Sequence, residues 1–436
     1  MMSKRQIKND SWLFFPKKQP YVWWGGINPV SLWQFSYYTF YTMRLPLPNH
    51  TQLKCLLAVF SLATAVTATA KDFEVNGISY NITSTEDRTV EVTGSQTYST
   101  SNYSGGVTIP ESVTYSNTTY TVTAVGAGAF IICDKLTSIS LPATVKELKI
   151  GAFAGCTSLS SFNFPNSLST IGEKCFEGCT GLTSITIPAS VSNIGEYAFR
   201  SCSGLTSIRV ESGNQTFDSR NGCNAIVRTA TNELVVACQK TVIPVSVTSI
   251  GVAAYYGQTA MTAVSIPATV TSIGRRAFQG CTGLTAIALP ANVASIGEYA
   301  FWGCANLTNV YTGVKAPAAL ATKAFEGVAA NCSLAIPAGT KDGYTTAGWT
   351  EEVFGGGIAE VLYGDVNGDG SVDILDAAMI VYYVLGRTTD INLTAADVNF
   401  DASVDILDAT IVVYQNVLGR NVNAAKPRQL SVLAPQ

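Results

Sequence analysis

Large apolar side chains return through the middle of this chain every 23 residues. Phe130, Phe153, Phe176 and Phe199 keep that spacing, Tyr255, Phe278 and Phe301 keep it again, and Phe325 follows one residue late. Other positions hold the same beat: Cys133, Cys156, Cys179 and Cys202; Pro142, Pro165 and Pro188; Pro244, Pro267 and Pro290. A fixed period of this length means one small unit stacked many times. A single unit cannot bury its own apolar face, so its neighbour must cover it, and the chain is expected to form a solenoid that presents a surface.

The best-kept unit is Leu182 to Gly204, LTSITIPASVSNIGEYAFRSCSG. Leu182, Ile185 and Ile187 belong to a short strand with imperfect alternation. Pro188 ends it, because proline has no N–H for a ladder. Val191 and Ile194 turn back to the core, Gly195 permits a tight turn, and Glu196 to Phe199 forms a single helical or 3-10 turn with Phe199 as the inward plug. Successive strands pair in parallel.

The spacing from Phe199 to Tyr255 exceeds two repeats, and the extra residues lie in Val210 to Thr241. This insertion, about 210–241, reads as a loop and hairpin projecting from the stack. It is either a binding decoration or a plain one. Residues 71–125 are strand-like and rich in Thr, Ser and Tyr, the composition of an N-terminal β cap over an otherwise bare solenoid end. Repeats occupy 126–354, and the glycines at 355–357 open a linker, 355–363.

Residues 43–70 read as a secretory signal peptide: Arg44 and Lys54, an apolar run from Leu56 to Val66, then Ala68-Thr69-Ala70 before Lys71. Residues 1–42 hold four of the six tryptophans and no repeat. They are either an upstream mis-start or a genuine extension. The mature chain then carries 20 basic and 29 acidic residues, a net charge of −9. That gives no basic face for nucleic acid. The lone histidine, His50, falls in the leader, so the mature chain has no histidine for general-base or metal chemistry. The leader's apolar run is too short for a membrane span, and none is expected in the mature chain.

Ten cysteines remain beyond the leader. Cys133, Cys156, Cys179, Cys202, Cys281 and Cys304 share one repeat position, which suits small buried hydrophobes. Cys223 and Cys238 flank the hairpin and are the best candidates for a disulfide.

LTSITIP, VSNIGEYAF and GCTGLTSI resemble the BspA-like leucine-rich-repeat family of secreted and surface bacterial proteins, over roughly residues 71–350. The resemblance implies a mostly-β, right-handed leucine-rich-repeat solenoid used for adhesion or protein binding. Two departures stand out: Lys149 in place of the turn glycine and Gln258 in place of the ladder cysteine.

The acidity is concentrated near the C-terminus, where residues 360–420 carry ten acidic and two basic side chains. Two segments there match each other at an offset of 32. The first places Asp365, Asn367, Asp369, Asp373 and Asp376 at loop positions 1, 3, 5, 9 and 12, and the second places Asp397, Asn399, Asp401, Asp405 and Asp408 likewise. Backbone carbonyls of Ser371 and Ser403 fall at position 7. This spacing wraps a hard cation in oxygen, as calcium loops do. Ala402 stands where a glycine normally turns the loop, and a left-handed alanine there costs roughly 1–2 kcal/mol. The second of the two calcium sites is therefore expected to be weaker.

Each loop runs into a helix ended by Gly386 or Gly419. Half an EF-hand, twice, with Asp at position 12, resembles a type I dockerin, here 364–420 ahead of a tail at 421–436. The resemblance implies a small α-helical calcium-binding domain that docks on the cohesin domain of another protein. Positions 10 and 11, which guide partner choice in the family, are Ile374-Leu375 and Ile406-Leu407. They are identical in both copies, which permits docking in two orientations. MIVYYVL is apolar almost all round; its excess must meet a cohesin or the open end of the solenoid.

Dockerins usually ride on polysaccharide-degrading enzymes, yet no catalytic motif stands out here. Glu173, Glu196 and Glu298 share one repeat position, as residues serving the fold do. The chain is read as a non-enzyme at the bacterial cell surface, its solenoid binding an unknown protein. The alternative is an accessory of a polysaccharide-degrading complex, its solenoid contacting glycan. The mature coils hold only Trp302 and Trp349, which favours protein.

Overall fold

The computed structural model describes residues 71–94, 103–400 and 403–417. The expected leader, the segment 1–42 and the tail 421–436 lie outside the described residues. The architecture is a mostly-β solenoid followed by a small helical module.

Most coils are built from two short strands. The first is the expected one. In Ser184–Ile187 the serine and threonine face solvent while Ile185 and Ile187 are buried, the strict alternation of a half-buried strand. It pairs in parallel with Ser207–Val210, Ser184 opposite Ser207, one repeat later. The second strand has two residues and forms its own row. Glu147–Leu148, Thr170–Ile171 and Asn193–Ile194 pair in register, as do Ser249–Ile250, Ser272–Ile273 and Ser295–Ile296.

Gly195 is required for a reason other than its turn. Its φ is not positive. A β-carbon there would lie 2.4 Å from the backbone nitrogen of Glu173 in the coil beneath, so close stacking excludes a side chain. The left-handed residue comes two positions later, at Tyr197 (φ 60°), and at Lys174, Arg276 and Tyr299 in other coils. The expected helical turn at Glu196–Phe199 is therefore a chain of hydrogen-bonded turns. This edge also forms a ladder between coils: Lys174 N–H donates to Glu196 O, Phe176 N–H to Ala198 O, and Gly178 N–H to Arg200 O, at 2.7–3.0 Å.

The plugs stack. Ring centroids from Phe130 through Phe153 and Phe176 to Phe199 are 5.1–5.3 Å apart with planes within 10°. A second stack runs Tyr255, Phe278, Phe301, Phe325. Beside it runs the cysteine row. Cys156 Sγ donates to the carbonyl of Phe130 at 3.1 Å, and Cys179, Cys202, Cys281 and Cys304 do the same to the plug one coil below their own. At the departure noted above, Gln258 Nε2 instead donates to Cys202 O at 3.4 Å.

The insertion does not project. Its strands Ala225–Arg228 and Glu233–Ala237 form an antiparallel hairpin, and the second pairs in parallel with Ser249–Ile250. Ile226 and Val236 pack into the core of the first coils, and Ala225, Val227, Leu234 and Ala237 into that of the later ones. Apolar residues on both faces make the hairpin a partition inside the stack. Cys223 and Cys238 fall on opposite sides of it, and both are buried free thiols, so the expected disulfide is not formed.

On the turn edge the stack continues directly across the insertion. Ser201 N–H donates to Tyr256 O, and the Arg200 guanidinium lies 4.1 Å from the Tyr256 ring with its Nη2 on the Tyr256 hydroxyl at 2.6 Å. Arg200 also meets the buried Glu177 carboxylate at 3.3 Å.

At the N-terminal end, Thr89–Thr93 pairs with Thr118–Val125, which leads into the second-strand row through Glu147–Leu148. At the other end Phe354 and Trp349 close over Phe325. The stretch read as a linker contains Ile358–Val361, which adds a last parallel strand to Ser333–Pro337.

Candidate functional site

The module opens where the chain leaves that last strand. Helix α1 (Ile374–Val384) and helix α2 (Leu393–Ala396) precede α3 (Ile406–Ile411), whose continuation Val412–Val417 widens to a π-helix. A small core of Val366, Ala377, Ile380, Ala395, Ala396, Ala409 and Val412 holds them together.

Both long helices start the same way. Asp373 and Asp376 form a capping box on α1: the Asp373 carboxylate accepts from Leu375 N–H, and Asp376 Oδ2 accepts from Asp373 N–H. Asp405 and Asp408 repeat it on α3. These carboxylates satisfy amides that a helix N-terminus leaves unpaired. Asp376 is fully buried and also accepts from Val366 and Asn367 N–H, and Asp408 from Val398 and Asn399 N–H. Loop positions 9 and 12 thus tie each loop to its helix.

The first loop curls around Asp365. Its two oxygens accept from the N–H groups of Gly368, Asp369 and Gly370 at 2.7–3.1 Å. Gly368 and Gly370 have φ of 74° and 85°, which only glycine adopts freely. Asn367 Oδ1 accepts from Asp369 N–H, and Asp369 Oδ1 from Ser371 N–H. The donor set is all oxygen and mostly anionic, which fits a hard cation. Among the described residues no three acidic side chains converge closely enough to clasp an ion as they stand. In the second loop Asp397, Asn399, Ser403, Asp405 and Asp408 occupy matching places, while Asp401 and Ala402 lie outside the described residues.

Ile374, Leu375, Ile406 and Leu407 are each more than half exposed at the starts of the two helices. Tyr382, Val384 and Leu385 are exposed as well, so the apolar excess of MIVYYVL is not spent on the solenoid.

The solenoid meets the module elsewhere, at residues that the motif search passed over. Phe400 is buried; its ring stands edge-on to Tyr363 with centroids 4.7 Å apart and lies over Gly313. The Tyr363 hydroxyl donates to Ala335 O at 3.3 Å, and burial pushes its phenol above the ordinary value. The signal was present in the paired loops, where Phe400 stands opposite Gly368.

Two acids of the repeat row make ion pairs at the surface. Glu196 pairs with Arg275 at 3.5 Å and Glu173 with Lys174 at 3.0 Å, all but Lys174 well exposed. Trp349 is buried in the end of the stack.

Residues 123–231 and 234–341 match the BspA type Leucine rich repeat region, in six copies, and residues 363–415 match the Dockerin type I domain. The chain is thus a repeat protein joined to a docking domain. It belongs among the BspA-type leucine-rich-repeat proteins and carries a C-terminal type I dockerin. Both are binding domains, and type I dockerins bind calcium and a cohesin partner. No curated protein matches the chain. Among solved structures it is similar to a leucine-rich repeat protein from Eubacterium ventriosum (20% identity, 60% of this chain and 77% of that one, TM-score 0.42). It is also similar to the pneumococcal vaccine antigen PcpA (16%, 63% and 96%, 0.40) and to a leucine rich cell surface protein from Faecalibacterium prausnitzii (18%, 65% and 99%, 0.33). Among the described residues no helix is long and apolar enough to cross a membrane.

Proposed function

We propose that this is a secreted or cell-surface binding protein without catalytic activity. Its dockerin fastens it to a cohesin-bearing scaffold, and its solenoid binds another protein. Two calcium ions complete the dockerin. Asp365, Asn367, Asp369, Asp373, Asp376 and the Ser371 carbonyl hold the first. Asp397, Asn399, Asp401, Asp405, Asp408 and the Ser403 carbonyl hold the second, which is the weaker. Asp369, exposed in the loop, supplies one of these carboxylates. Residues 43–70 supply export.

The twin pairs Ile374-Leu375 and Ile406-Leu407 carry this reading. Each is exposed, each follows a capping aspartate, and each is set by the same pair of carboxylates. A partner that recognises one pair meets the same pair in the other copy. Exposed isoleucine and leucine also suit the apolar centre of an interface. Burial of Trp349 leaves the coils without a row of exposed tryptophans, which favours a protein ligand over glycan.

Calorimetry of the full chain against a type I cohesin tests the docking. Binding is expected in calcium and not in chelator. Aspartates at Ile374 and Leu375 alone should leave binding, because the other face remains. Aspartates at all four positions should abolish it. Binding indifferent to chelator, or to the fourfold change, refutes the reading.

A further inference from the structure

Two residues that break step with their own repeats meet each other. Gly313 stands one repeat after Pro290, at the position held by Pro142, Pro165, Pro188, Pro244 and Pro267 in other coils. Phe400 stands in the second acidic loop where Gly368 stands in the first. Phe400 takes the left-handed conformation of that glycine, φ 60°, which a side chain disfavours. Its ring is 5% exposed and occupies the space that Gly313 leaves. A β-carbon on Gly313 would lie 2.4, 2.8 and 2.9 Å from three ring carbons. Glycine also supplies an N–H that proline lacks, and Gly313 donates it to Leu289 O at 3.1 Å. Tyr363 backs the ring and is held to the solenoid through Ala335, while Gly364 N–H donates to Ala395 O within the module.

We propose that the second loop is a docking element for its own chain: Phe400, held in place by the calcium-bound loop, seats the dockerin on the end of the solenoid. The proposal rests on the calcium reading above and divides the labour between the loops. The first has Gly368 at this position, with nothing within 4 Å of where a β-carbon would stand. The second gives up a glycine and binds the coil carrying Gly313. Calcium then fixes the direction in which the solenoid leaves the scaffold. Linkage makes the coupling reciprocal, so the seat on Gly313 strengthens calcium binding in the second loop as much as calcium strengthens the seat.

The test is calcium titration of the full chain by calorimetry, with X-ray scattering in calcium and in chelator. Gly313→Ala clashes with the Phe400 ring while leaving the sequence of both loops unaltered, and its φ is not positive. It should weaken the second site about tenfold, within the usual range of coupling energies, leave the first unchanged, and lengthen the particle in calcium. Phe400→Gly relieves the left-handed strain. If the phenylalanine were only a tolerated misfit, this variant would bind calcium more tightly; the seat requires weaker binding. Second-site affinity unchanged or raised in both variants overturns the proposal. Failure of the unaltered chain to bind calcium refutes instead the metal reading beneath it. A thermal melt of Gly313→Ala in chelator that matches the unaltered chain excludes solenoid misfolding as the cause; where that melt is lower, Phe400→Gly alone decides, and unchanged or tighter second-site binding in it overturns the proposal.

Discussion

Phe176 and Phe199 lie with ring centroids 5.3 Å apart and planes 1° from parallel, each fixed by the coil that carries it. Phe176 is fully buried and also touches Phe153, Phe162 and Phe164. Removing it opens a cavity with rings on every side and little means of collapse. Phe176→Ala should cost roughly 3–5 kcal/mol. Chemical denaturation checks this, and a midpoint equal to that of the unaltered protein would remove Phe176 from the core.

The thiol row should be chemically silent. Burial pushes Cys304 up to about 12 and Cys133 up to about 11, from an ordinary 9. The folded state therefore holds these protons from pH 9 up to about 11 at Cys133 and about 12 at Cys304, while the unfolded chain releases them. Their contribution to stability is complete below pH 9 and declines as pH rises through that window. Native protein at pH 8 should leave a thiol reagent unreacted, and denaturant should release the full set. Rapid native labelling would contradict the burial of the row.

Asp369 and Asp376 should separate calcium binding from folding of the module. Asp369 is exposed. Asp369→Ala should lose first-site calcium while melting in chelator as the unaltered chain does. Asp376 is buried and accepts three backbone N–H groups. Asp376→Ala strands them at about 1–3 kcal/mol for each group left without a partner. It should lower the melt even in chelator. Equal melts for both variants would show that Asp376 serves only the ion.

The seam at the insertion offers an asymmetric test. Glu177 is 3% exposed, and desolvation raises its carboxyl although Arg200 beside it pulls the other way. Arg200→Ala leaves that carboxyl buried without its counter-charge, a loss of about 3–5 kcal/mol. Glu177→Gln removes the charge itself and should cost less. Urea midpoints of the two variants decide, and the reverse order would mean that the ion pair does not hold the seam.

The outer form was legible because a solenoid writes its packing into sequence: every coil meets a copy of itself, so Phe153, Phe176 and Phe199 reveal one environment three times. The two acidic loops were legible for the same reason. The second strand was not, since Asn193–Ile194 is too short to show alternation. Gly195 was misread because the turn is local while the approach of Glu173 that excludes its side chain comes from another coil. The hairpin was misread as decoration because alternating apolar residues fit a strand covered on one face or, as here, strands wedged between two cores.

Sequence alone determined the period, the plugs, the thiol row and the paired acidic loops, because each depends on neighbours one repeat away or within a dozen residues. Tertiary structure decided where the stack is spliced, which cysteines stay apart, and where the module rests. Those outcomes depend on where the last coil ends in space. Gly313 and Phe400 belong to different repeats, and only the folded chain brings them together.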